Sequence, residues 1–71
     1  MYLQEFKIYL IGGHMLKAAE DVTIPAEHRL LYRFKNAKLK DVLSVGSEET
    51  SQAYIPVRNI LYISTRDVIR W

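Results

Sequence analysis

The side chains in this 71-residue sequence that could do chemistry are two histidines, four serines and a run of cations in the middle third. His14 and His28 are the only imidazoles, with Glu20, Asp21 and Glu27 as the neighbouring carboxylates. A zinc site takes three or four ligands at recurring spacings, and these residues fall at none of them. No metal site is expected. Ser44, Ser47, Ser51 and Ser64 have no evident base and orienting acid beside them, and the chain has no cysteine, so no activated nucleophile is assembled. Glu48-Glu49 sits in a polar turn and reads as solvated charge. Gly12-Gly13 is too short to cradle a phosphate. The residues thus predict a non-catalytic protein without a cofactor.

The cations are the more informative set. Between His28 and Lys40 lie Arg29, Arg33, Lys35, Lys38 and Lys40, with no acid among them. Outside that stretch five Lys and Arg face eight Asp and Glu, so the charge is unevenly placed. Clustered cations are what phosphate contacts require, and Tyr32 could stack on an unpaired base. Arg29, Tyr32, Arg33, Lys35 and Lys38 therefore form a candidate nucleic-acid-binding set. The plainer alternative is a solvated helix face, since total charge is low and no nucleic-acid-binding signature is present. Arg58-Asn59 offers donors and an acceptor for a base edge, or else is simply a turn.

Aromatic residues supply a third kind of surface. Of the five tyrosines, Tyr2, Tyr9, Tyr54 and Tyr62 fall in segments that read as strands, where aromatic cross-strand pairs stabilise sheets. In so small a domain some must be partly exposed, and Tyr with Arg is enriched at protein interfaces. Tyr9, Tyr54 and Tyr62 are the candidate protein interface, and the expected partner is a second copy of the chain or another protein.

Composition bounds these readings. One domain spanning residues 1–71 is expected, near the lower size limit for folding without disulfides or metals. A net charge of +2 and a pI near 9.0 tolerate a polyanionic partner without demanding one. The absence of cysteine excludes a thiolate metal site and fits a reducing compartment. The amino end, MYLQEFKIYLIGG, is too short and too charged for a membrane span or signal peptide, so the expected location is the cytoplasm.

The elements that must position these residues follow from periodicity. Residues 2–11 alternate, with Phe6, Ile8 and Leu10 on one face and Glu5, Lys7 and Tyr9 on the other, the period of a half-buried strand. Gly12-Gly13 is a two-residue hairpin signal, which makes residues 14–22 the partner strand despite the helix formers in MLKAAED. From Thr23 to Lys38, Ala26, Leu30, Leu31, Phe34 and Ala37 share one face at helical spacing, while Arg29, Tyr32, Arg33, Lys35 and Asn36 point away. That predicts a helix of about three to four turns, capped by Thr23 with Pro25 in its first turn. Leu30, Tyr32 and Phe34 also alternate as in a strand, but Leu31 breaks that pattern and fits the helix. Strands follow at 41–45, 52–55 and 60–64, separated by a polar turn at 46–50 and by Pro56-Val57-Arg58-Asn59; the last could extend through 66–71. The apolar residues of Ile60-Leu61-Tyr62-Ile63 occupy both faces, which suggests a central strand or one whose second face is covered.

The predicted class is α+β: a small antiparallel sheet of four to five strands in ββαβββ order, with one helix packed on a face. The alternative is an all-β barrel of SH3 or Sm type, in which residues 29–36 become a strand.

The run Phe34-Lys35-Asn36-Ala37-Lys38, with Asp41-Val42-Leu43, Tyr54-Ile55-Pro56 and Asn59-Ile60-Leu61-Tyr62-Ile63, resembles small uncharacterised proteins of Gram-positive bacteria and their mobile elements. It covers roughly the second half of the chain and implies no activity. The expected function is a non-catalytic binding or assembly module acting through protein–protein contact, with nucleic-acid binding through residues 25–38 as the alternative. No membrane partner is expected.

Overall fold

The alternation at the amino end becomes β1 (Tyr2–Leu10) in the computed structural model, which describes residues 2–47 and 51–70. Gly12 and Gly13 both hold positive φ, +94° and +85°, and turn the chain back into β2 (Met15–Asp21). The turn is closed by the Leu10 N–H donating to the His14 carbonyl at 2.8 Å. Ile8 sits opposite Leu16, and Phe6 opposite Ala18. The hairpin thus places its apolar residues on a single face, as alternation requires.

A 3₁₀ turn at Ala26–His28 and the helix α1 (Leu30–Asn36) come next, then β3 (Val42–Ser47) and β4 (Ser51–Pro56). A second 3₁₀ turn at Val57–Asn59 leads into β5 (Ile60–Arg70). The strands do not form the single sheet expected. They form two antiparallel sheets, one in the order β2-β1-β5 and one of β3 and β4. The chain is therefore α+β, with β1 rather than β5 in the central position of the larger sheet.

Helical structure is shorter than the periodicity predicts. Arg29 is extended, at φ −79° and ψ 154°, which divides residues 26–36 into a 3₁₀ turn and a helix of seven residues. Leu30 is buried, and Leu31, Phe34 and Ala37 pack against the core as the stripe requires, but Ala26 is exposed. Thr23 does not cap the helix. Its N–H and hydroxyl both donate to Asp21 Oδ1, at 2.8 and 2.7 Å, so it closes the end of β2. Residues 30–36 are helical, which removes the strand that the barrel alternative placed there.

The core joins the two sheets: Phe6, Ile8 and Ala18 from one, Leu43, Val45 and Ile55 from the other, with Leu30 of α1 and Val57 of the second 3₁₀ turn completing it. Ile8 has no solvent exposure and pairs across the ladders with Leu16 and Ile63. Burying such a side chain contributes about 1.5–3 kcal/mol, a large share of what a domain this small has.

Two irregularities bend β5. Glu5 faces two residues, Arg66 and Asp67, because Gln4 pairs with Val68 while Phe6 pairs with Thr65. The Gln4 side chain donates to the Arg66 carbonyl there, satisfying a group that the interrupted ladder leaves over. Farther along, Tyr9 pairs with Tyr62 but Leu10 with Ile60, which leaves Leu61 as the extra residue. Leu61 is accordingly 61% exposed despite its apolar side chain. Of the polar turn at 46–50, Gly46 and Ser47 belong to β3, and the remaining three residues lie outside the described ones.

Candidate binding surfaces

The basic segment is built from α1 and the extended residue before it. Arg29 cannot cap α1 with its side chain, and Glu20 does so from β2: its Oε2 accepts the Leu30 N–H at 2.9 Å. Glu20 Oε1 accepts the Arg29 Nε–H at 3.2 Å, in the one ion pair found among the described residues. Arg33 is also engaged. Its Nε–H donates to the His28 carbonyl at 3.1 Å, and its Nη1 to Ser44 Oγ at 3.2 Å, fastening the helix to β3. Both arginines are therefore half-buried and tied to their own chain, whereas Tyr32, Lys35 and Lys38 are exposed. The five residues share one region of the chain, but only three of them stand free of intramolecular side-chain bonds.

The tyrosines separate. Tyr9 and Tyr62 meet directly across β1 and β5, with ring centroids 4.4 Å apart and planes at 20°. They belong to the face of the larger sheet turned away from Phe6 and Ile8, as alternation dictates. Met15 lies opposite Tyr9 on the other side, so a row of Met15, Tyr9 and Tyr62 crosses the sheet. Met15 is 41% and Tyr62 55% exposed. Lys7 and Lys17, paired with one another, form the next row on the same face. Tyr54, which is 71% exposed, belongs to the other sheet, opposite Ser44, and does not join this row.

Asn59 uses its backbone carbonyl to accept the Ile11 N–H at 2.8 Å, prolonging the β1–β5 pairing, and both Arg58 and Asn59 are exposed. Among the described residues no three His, Asp or Glu side chains cluster as metal ligands. No helix among them is long and apolar enough to cross a membrane.

Sequence reasoning names Glu20 and Ser44 but not their roles as the cap and the fastening of α1. Both act on α1 from ten or more residues away, and no local spacing announces a cap supplied by another element. Met15 was missed as a surface residue because its role depends on hairpin register. No protein-family model, curated protein or solved structure matches the chain.

Proposed function

We propose that the chain is a non-catalytic assembly module that associates with a second copy of itself through the outer face of the β2-β1-β5 sheet. The observation that carries this reading is the stacked Tyr9–Tyr62 pair at 4.4 Å, in which Tyr9 is half-buried and Tyr62, like Met15, is exposed. Aromatic rings and methionine are the side chains enriched where an interface core forms, and the Lys7–Lys17 row supplies a polar border. A domain near the lower size limit also gains stability from covering apolar surface with a partner. Light scattering on the purified chain at micromolar to millimolar concentration tests the proposal. We expect a concentration-dependent dimer that Tyr62→Glu converts to monomer. A strict monomer throughout, unchanged by the substitution, overturns it.

Nucleic-acid binding is the second reading, favoured by the exposure of Tyr32 beside Lys35 and Lys38. It requires salt-dependent retention on single-stranded DNA or RNA, with a slope that falls when Lys35 and Lys38 are removed together. Flow-through at low salt ends it. The engagement of Arg29 and Arg33 within the chain weighs toward the protein–protein reading.

A further inference from the structure

Where the free edges of β2 and β3 approach each other, no ladder joins them, and a cleft of about 340 Å³ opens between the strands and α1. Its floor is apolar, made by Phe6, Ala18, Leu30 and Val45. Its volume lies within the range of small-molecule sites, and an apolar floor with a few placed polar groups is the usual composition of one. It is separate from the Tyr9–Tyr62 face, because Phe6 and Ala18 belong to the opposite side of the same sheet.

The charged groups at the rim differ in how far they are committed. Both Glu20 oxygens are engaged, one by the Leu30 N–H and the other by Arg29, whose charge offsets its own. Asp21 Oδ1 already takes two hydrogen bonds from Thr23. Arg33 is different. It is held by two neutral acceptors, the His28 carbonyl and Ser44 Oγ, and no carboxylate among the described residues pairs with it. Those bonds fix the guanidinium plane at the cleft while leaving Nη2 without a partner among the described residues. A pre-oriented, half-buried guanidinium with unused donors matches a planar oxyanion, which it can take through two parallel N–H bonds.

We infer that this cleft binds a small carboxylate with an apolar body, the carboxylate on Arg33 and the body against Phe6, Ala18, Leu30 and Val45. Ser44 is the positioning residue, since its Oγ accepts Arg33 Nη1 at 3.2 Å and holds the guanidinium at the cleft.

Amide chemical-shift titration of the full chain tests this with three probes that share a benzyl body: phenylacetate, benzyl alcohol and benzylamine. Phenylacetate should shift the amides of residues 18–20, 30 and 44–46 saturably. Benzyl alcohol should bind at least about tenfold more weakly, because it cannot form the paired charge-assisted bonds, and benzylamine more weakly still. Arg33→Gln should weaken phenylacetate by about tenfold or more while leaving benzyl alcohol unchanged. Ser44→Ala keeps the charge and serves if the first variant does not fold; it should weaken phenylacetate by a smaller factor and leave benzyl alcohol unaffected. Absence of saturable shifts with phenylacetate, benzylamine binding as tightly as phenylacetate, or phenylacetate affinity unchanged in the variants would each overturn the assignment.

Discussion

Glu20 on β2 accepts the backbone N–H of Leu30 at 2.9 Å, so the first buried residue of α1 is capped by a strand ten positions upstream. The first N–H groups of a helix have no partner within it, and Arg29 provides no side-chain cap. The bond therefore does two things at once: it satisfies an orphan donor and sets where the helix meets the larger sheet. Glu20→Ala removes the acceptor and leaves the Arg29 guanidinium without its partner. The expected loss is about 1–2 kcal/mol in urea unfolding. Glu20→Gln keeps an oxygen for Leu30 and should lose about half as much, because the Arg29 end of the pair is partly open to water. Equal losses for the two variants would show that charge, not capping, dominates.

Asp21 should titrate low. The Thr23 N–H, and secondarily its hydroxyl, donate to the carboxylate and hold its pKa below the ordinary 3.8. The unfolded chain therefore takes up this proton more readily than the folded one. Its contribution to stability is present above the ordinary value and is lost as pH falls through the lower folded one. Carbon-detected carboxyl titration should place Asp21 below a free aspartate. Thr23→Val should move it part of the way back, since the backbone donor remains. An Asp21 titrating at or above the ordinary value contradicts the geometry.

The Gly12-Gly13 turn makes a prediction about backbone alone. A methyl built on Gly13 meets nothing within 4 Å, and one on Gly12 meets only His14 Cδ2 at 3.6 Å, an ordinary contact. Space is therefore not what demands glycine. The positive φ at both positions is. Alanine at either should cost about 1–2 kcal/mol, and the two losses should be similar despite the different surroundings. Asparagine at Gly13 should cost less, because its short polar side chain tolerates the left-handed region. A neutral Gly13→Ala would mean that the turn reorganises.

These cases mark how far the chain could be read from its residues. The Phe6-Ile8 alternation, the glycine turn and the Leu30-Leu31-Phe34 stripe are local patterns; the first and last show in the structure as faces turned to the core, and the turn shows as two residues of positive φ. The expected helix start differs from the observed one because Thr23 and Pro25 are good opening residues by type. Thr23 instead bonds back to Asp21, and the extended Arg29 delays α1 until Glu20 can cap it. Division into two sheets was equally hidden, since hydrophobic alternation says which face is buried but not which edge meets which. The apolar residues on both faces of Ile60-Leu61-Tyr62-Ile63 suggest a central position or a covered second face, and β5 instead lies at the edge of the larger sheet. The bulge that turns Leu61 outward depends on pairing with Leu10 and has no signature in the strand itself. Of the candidate surfaces, residue type identified Tyr9 and Tyr62 but could not tell that they touch while Tyr54 stands on the other sheet.

The Tyr9–Tyr62 stack gives a way to separate a folding contact from an assembly contact. An offset aromatic pair contributes about 0.5–1.5 kcal/mol beyond its buried area, and Tyr62 is open enough to place this one in the lower half of that range. A double-mutant cycle with Tyr9→Leu and Tyr62→Leu, read by urea unfolding at low micromolar concentration, should return a coupling of that size. If the same rings are buried between two copies, both single variants should lose more stability as concentration rises, because dimer formation stabilises the wild type by mass action. A coupling present at low concentration and unaltered at high concentration assigns the stack to the fold alone. No coupling at either concentration would mean that the rings contribute nothing beyond covering the sheet, and the proposed assembly face would lose its anchor.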